Sequence, residues 1–116
     1  MHEFSLVNAI IDSIEEFAQK NGCKKICSVK LKIGAMRQVV PDIMKFAFEA
    51  ASEGTVLDGA SLEIEEVPIS IYCPDCGKSW GEENVGLRCP YCGGSNADMK
   101  TGMELDIDSI EVEDDG

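Results

Sequence analysis

The sequence predicts an α+β fold: two helices packed on one face of a small sheet of about three strands, with a cysteine-bearing module inserted ahead of the last strand. Three observations lead there. Two stretches carry apolar residues at helical spacing, three others alternate apolar with polar residues, and the cysteines of "CPDCG" and "CPYCG" fall between the last two alternating stretches. At 116 residues the chain is about one domain's worth, with apolar content for one modest core.

The first helix is read from Phe4 onward, where Val7, Ile10, Ile11, Ile14, Phe17 and Ala18 make one stripe, and it is expected to stop near Asn21 and Gly22. In "SVKLKIG", Val29, Leu31 and Ile33 alternate with Lys30 and Lys32, the pattern of a strand with one face on a core, closed by Gly34. Pro41 suits the first position of a second helix, where its missing N–H is harmless; Met44, Ala47, Phe48 and Ala51 give that helix a buried face, and Gly54 stops it. "SLEIEEVPISIY" continues as extended chain with a bend or edge at Pro68. The last strand is read in "GMELDIDSIEVE" from the alternation of Met103, Leu105 and Ile107. The parity slips at Ser109, where a bulge or the strand's end is expected.

The outward face of the first strand is lysine, and those of the other two are carboxylates. Setting Lys30 and Lys32 beside Glu63, Glu65, Glu104 and Asp106 avoids like-charge neighbours, which places the first strand between the other two. The plain alternative is that these are merely solvated faces. The expected division is 1–70 with 100–116 as an α/β domain, and 71–99 as an inserted module.

Acidic residues outnumber basic ones 22 to 10, a formal charge of −12, so the chain repels a phosphate backbone and nucleic acid is excluded as a general partner. No stretch approaches the roughly 20 apolar residues that span a bilayer, and "MHEFSL" lacks the regions of a signal peptide. No membrane association and a cytoplasmic location are expected, where cysteines stay reduced and read as metal ligands or buried thiols.

Cys73 and Cys76 form one pair, Cys89 and Cys92 another, each with two intervening residues and with twelve residues between the pairs. Two such knuckles converge on one metal, and the glycine after each second cysteine permits the tight turn that frees backbone N–H groups toward sulfur. Four thiolates satisfy tetrahedral Zn(II) and leave no open position, the condition of a structural site. The intervening chain, with Trp80, Val85 and Leu87 as its main apolar residues, buries too little to fold unaided, so metal is expected to hold this zinc-ribbon-like module together. Iron in the same cage, as in rubredoxin, is the alternative. Rubredoxins are free-standing and have a longer interval, which favours zinc. Cys23 and Cys27 read as ordinary reduced cysteines.

The only histidine of the chain is His2. If Met1 is retained, its amine, the amide nitrogen of His2 and the His2 imidazole close two fused chelate rings around one cation, with Glu3 adding an amide nitrogen or its carboxylate. A flat nitrogen-rich set of this kind suits Ni(II) or Cu(II) better than zinc. First-turn N–H groups of a helix have no intrahelical partner and can lose a proton without breaking it.

With "MHE" at its start, two helices on a small sheet and the inserted "CPDCG…CPYCG", the chain resembles the HypA/HybF family of hydrogenase nickel-incorporation proteins over essentially its whole length. The resemblance implies a nickel metallochaperone, not an enzyme, that works with a HypB-type GTPase to load nickel into the large subunit of NiFe hydrogenase and in some organisms serves urease maturation. It puts nickel, as transferred cargo, on His2 with Met1 and Glu3, and structural zinc on Cys73, Cys76, Cys89 and Cys92. Some relatives carry a histidine beside a zinc cysteine; here Gly77 and Gly93 stand there, which argues against ligand exchange to histidine.

Two other classes compete. A zinc-ribbon adaptor with an inert "MHE" would hold one zinc and no specific nickel. An enzyme fits less well, because the chain has no second histidine and no phosphate loop, and a four-sulfur zinc is closed to substrate.

Overall fold

The structure is a computed structural model and describes residues 2–81 and 88–113, with His2 described by its backbone; Met1, Val85 and Leu87 lie outside the described residues. Helix α1 spans His2–Asn21. Val7, Ile10, Ile11, Ile14 and Ala18 form its buried stripe. Phe17 departs from the sequence reading: it sits about 80° round the helix from Val7, at the flank of the stripe, and is 45% exposed. The helix ends as expected, with Gly22 in the left-handed region (φ +66°). The Cys23 N–H closes back onto the Ala18 carbonyl at 2.9 Å, a six-residue C-terminal loop that only an unhindered residue at position 22 allows.

Strand β1 spans Ile26–Gly34, with Val29, Leu31 and Ile33 buried. It begins earlier than its alternation suggests, because Ile26 is fully buried and its N–H is bound by the Val56 carbonyl at 2.9 Å. A single 3-10 turn, Ala35–Arg37, follows. Helix α2 spans Pro41–Ser52 with proline in its first turn and Met44, Ala47 and Phe48 in the core. After it, Gly54 takes φ +80°. The turn that follows carries Leu57 into the core at 0% exposure. Thr55 organises that turn: its hydroxyl donates to the Ser52 carbonyl at 2.7 Å and accepts the Leu57 N–H at 3.0 Å.

The remaining strands are β2 (Ser61–Val67), β3 (Ser70–Tyr72), β4 (Ser79–Trp80), β5 (Asp98–Thr101) and β6 (Leu105–Val112). Pro68 marks the break between β2 and β3, as expected of a residue that cannot donate to a ladder. One sheet has the order β2-β1-β6 and the other β4-β3-β5. The first strand is therefore flanked by the acidic ones. Lys30 reaches Glu65 at 3.7 Å, and Lys32 lies between Glu65 at 3.8 Å and Asp108 at 3.5 Å. The partner on β6 is Asp108, not the Asp106 of the sequence reading. The last strand runs through Ser109 to Val112 without ending there. It starts only at Leu105, because Thr101 belongs to β5 of the other sheet, and Met103, read as inward-facing, is 52% exposed.

The chain divides into two compact units, 1–32 with 39–65 and 106–116, and 33–38 with 66–105. The first holds the α1, α2 and Leu57 core. The second gathers Ile69, Ile71, Cys73, Trp80 and Cys89, with Ala35, Met36, Ala97 and Met99 packed against them. In the second unit the backbone at Gly34 lies directly against Gly102. The Gly34 N–H donates to the Glu104 carbonyl at 2.8 Å and the Met36 N–H to the Gly102 carbonyl at 2.9 Å. A Cβ at Gly34 would stand 2.0 Å from the Gly102 carbonyl group, which is backbone and has no rotamer to yield. Gly34→Ala is therefore expected to cost about 1–3 kcal/mol or more, read as a lowered melting temperature. Gly54→Ala, with nothing within 4 Å of its new methyl, should show only the left-handed strain of about 1–2 kcal/mol.

Candidate functional site

Two loops in the second unit present the sulfur atoms. Strand β3 ends at Tyr72, so Cys73 is the first residue beyond it; the chain turns through Cys76 and returns as β4, pairing Tyr72 with Ser79 and Ile71 with Trp80. The turn is closed by the Gly77 N–H on the Cys73 carbonyl at 2.8 Å and by the Cys73 N–H on the Lys78 carbonyl at 2.9 Å. The second loop repeats the pattern: the Gly93 N–H meets the Cys89 carbonyl at 2.9 Å, and the Cys89 N–H meets the Gly94 carbonyl at 2.9 Å. Gly77 and Gly93 take nearly equal left-handed conformations (φ +76° and +73°), the role their positions after the cysteine pairs suggest.

The turns aim backbone N–H groups at sulfur. Tyr91 and Cys92 donate to Cys89 Sγ at 3.3 and 3.4 Å, and Gly94 donates to Cys92 Sγ at 3.4 Å. All four sulfurs lie within 4.8 Å of one another, with Cys73 and Cys92 at 3.7 Å and Cys76 and Cys89 at 3.6 Å. These separations are too long for disulfides, whose sulfurs stand about 2.05 Å apart. They match a tetrahedron, because metal–sulfur bonds of about 2.3 Å put the corners roughly 3.8 Å apart. The donor set, its spacing and its N–H second shell therefore fit a zinc ion held by Cys73, Cys76, Cys89 and Cys92.

The acidities of the thiols agree with such crowding. Burial pushes Cys89 up, but the N–H groups of Cys92 and Tyr91 outweigh it and hold the thiol at about 7. At Cys92 the Gly94 N–H works downward, yet the sulfurs of Cys73 and Cys89 prevail and push it up to about 12. Cys76 is also raised: the Lys78 N–H lowers it, while burial and the neighbouring Cys89 and Cys73 act against that. Four sulfurs this close shed all their protons readily only when a cation shares the charge.

Other contacts tie the two loops together, and the cysteine spacing alone did not disclose them. Asn96 donates to Asp75 Oδ2 at 3.0 Å, joining the chain after the second loop to the first. The Trp80 and Tyr91 rings meet edge to face with centroids 6.2 Å apart, and the Lys78 ammonium stands 4.8 Å from the Tyr91 ring centre. The only hint in the sequence is that these residues lie inside or just beside the knuckles.

The candidate nickel residues lie in the other unit. Met1 is outside the described residues, and His2 is the first residue of α1. Glu3 is half-buried, and its Oε2 accepts the Val40 N–H at 3.2 Å. Val40 caps α2, so this carboxylate joins the start of one helix to the start of the other. Cys23 and Cys27 are not part of the sulfur cluster; Cys23 is half-buried and Cys27 exposed.

A family profile described as hydrogenase/urease nickel incorporation, metallochaperone, hypA matches residues 1–112. The chain is similar to the hydrogenase maturation factor HypA of Streptomyces avermitilis, with 44% identity over 98% of this chain and 88% of that one. To the HypA of Aquifex aeolicus it is 36% identical, over 97% of this chain and 98% of that one. Its fold is similar to the solution structure of the Ni metallochaperone HypA from Helicobacter pylori, with TM-score 0.68, 28% identity, and 95% of this chain and 96% of that one covered. A second solution structure of a HypA protein aligns with TM-score 0.73 and 30% identity over 97% of each chain.

Trp80 is the only tryptophan and packs beside Cys73 and Cys89, whereas α1 and α2 belong to the other unit. Stripping metal with a strong chelator at neutral pH is expected to shift Trp80 fluorescence toward that of an exposed indole while the helical circular dichroism persists. Cys89→Ser should give the altered fluorescence without chelator. A Trp80 signal that ignores both treatments would show that the cluster does not hold this unit together.

Proposed function

The chain belongs to the HypA family of hydrogenase/urease nickel-incorporation metallochaperones, and from that premise we propose that it binds Ni(II) at its N-terminus and hands it on during maturation of NiFe hydrogenase, with urease as a second recipient. One observation carries the reading: the family match starts at residue 1 and runs to 112, taking in the "MHE" start together with all four cysteines.

In this reading the Met1 amine, the His2 amide nitrogen and the His2 imidazole take three positions around the cargo ion. The chemistry of the chain start supports it. Helix α1 begins at His2, so the amides of His2 and Glu3 precede the first hydrogen bond of the helix and can be deprotonated without unwinding it. Two amidates offset the dication and with it the repulsion from the positive end of the helix dipole. With its carboxylate held on Val40, Glu3 joins through its amide nitrogen. Zinc, on Cys73, Cys76, Cys89 and Cys92, acts as a structural cross-link. No step of the nickel transfer passes through that site.

The partners follow from the family: a HypB-type GTPase and the large subunit of the hydrogenase. The acidic composition supports basic protein surfaces as partners and opposes nucleic acid. A cytoplasmic location is supported by a cysteine set built for reduced thiolates. No helix among the described residues is long and apolar enough to cross a membrane.

His2→Ala, or a peptide extension ahead of Met1 that turns the amine into an amide, is expected to weaken nickel binding by at least about tenfold, one lost ligand, and to leave zinc content unchanged. Metal analysis with nickel titration of the protein starting at Met1 reads both. Normal nickel binding by the two variants would reject the site, and one zinc with no specific nickel would favour an adaptor. Protons compete for the imidazole and the amidates, so nickel affinity should fall as pH is lowered. Titrations across a pH series that give a flat profile would rule out amide ligation.

A further inference from the structure

The first unit contains a cavity of about 670 Å³ between the second half of α2 and the start of β2, remote in sequence from every residue assigned to metal above. Its charged lining is acidic on balance: it carries three carboxylates, of Glu49, Glu53 and Asp58, against the ammonium of Lys45 and that of Lys25, which reaches the backbone of Asp58 at its rim. Phe48 and Leu62 add apolar surface. Asp58 is fixed in place, with Oδ2 accepting the Gly54 N–H at 3.0 Å and its carbonyl accepting Lys25 Nζ at 2.9 Å.

A second observation points to a ligand. Ser52 lines the same cavity at 1% exposure, and its hydroxyl has no hydrogen-bond partner among the described residues. A buried hydroxyl without a partner is rare in a folded protein.

The ligand's chemistry can be narrowed. Among the described residues only the four cysteines converge closely enough to share one metal ion, so the three carboxylates call for a wider cation. A guanidinium is planar, permanently charged and weakly hydrated. Its five N–H donors can meet carboxylates in pairs and reach a hydroxyl as well. The surface beside the cavity says where that group comes from. Phe46 is 67% exposed and Ile43 42% exposed on α2. Phe46 precedes Glu49 by three residues and so adjoins it on the helix surface. A free small cation would leave that aromatic ring in water, whereas a polypeptide carrying the guanidinium would cover it.

We propose that this recess and Phe46 together form a docking site for a protein partner, which inserts an arginine side chain among Glu49, Glu53 and Asp58 and lays a neighbouring apolar residue over Phe46. The site is independent of the metal chemistry, so its failure leaves the nickel reading intact.

The test is a ¹H–¹⁵N NMR titration of the whole zinc-loaded protein with N-acetyl-Arg-Leu-amide, N-acetyl-Arg-Ser-amide, the neutral isostere N-acetyl-citrulline-Leu-amide, and agmatine. The arginine peptides are expected to shift the amides of Glu49, Ser52, Glu53 and Gly59, and the citrulline peptide to leave them in place. The Leu peptide should bind about fourfold tighter than the Ser peptide, as one buried methylene or more would give, and Phe46→Ala should erase that difference. Glu49→Gln with Glu53→Gln should weaken the arginine peptides by about fivefold. Shifts spread evenly over the acidic strands, an equal response to citrulline, or agmatine binding as tightly as the Leu peptide with no effect of Phe46→Ala would each overturn the proposal.

Discussion

In the unit formed by 33–38 and 66–105, two loops bring four sulfur atoms within 4.8 Å of one another, and the rest of that unit is arranged around their convergence. The strands there are two to four residues long, too short to hold a sheet by hydrogen bonding alone. Among the described residues their apolar cluster has five buried members, two of which are cysteines of the sulfur cluster. Such a unit resembles small domains in which a metal does the work of a larger core. The left-handed glycines, the N–H groups aimed at Cys89 and Cys92 and the Asp75–Asn96 bridge all serve to place sulfur.

The other unit works by opposite means. It carries a conventional apolar core, with Val7, Ile14, Leu31, Met44, Phe48 and Leu57 at or below 2% exposure, and the candidate nickel residue His2 is the first residue of its first helix. A cargo site gains from that placement. Ligands at a helix terminus can exchange without disturbing the core, whereas sulfurs that are themselves part of a core cannot.

Much of this was legible in the sequence because the signals were local. The knuckles, the Gly22 helix stop and the Pro41 helix start each depend on a few adjacent residues. Even the strand order could be read, since charges of opposite sign on neighbouring strands are a pairwise rule; the lysine pairs with Glu65 and Asp108 bear it out. What was missed needed tertiary information. Leu57 lies in a turn with no periodicity, and hydrogen bonds within that turn, those of Thr55 and Asp58 among them, send it inward. Met103 sits in phase with Leu105, yet the chain passes from one sheet to the other there, so its phase decides nothing. The Glu3 link to Val40 spans 37 residues and has no sequence signature. The nickel donors were suggested by the chemistry of the chain start, and the match from residue 1 supports the family but not the individual ligands.

The lysines of β1 have a further consequence. Lys30 and Lys32 are among only ten basic residues in a chain with 22 acids, and they hold the acidic strands on both sides. Such exposed pairs are individually weak, while the surplus of anions repels itself over the whole surface. Added electrolyte screens both, with a reach of about 10 Å at 0.1 M, and the many distant repulsions lose more than the few close attractions. By this balance the chain is steadier at moderate ionic strength than in dilute buffer, the reverse of what a surface held by lysine–carboxylate contacts would suggest at first sight.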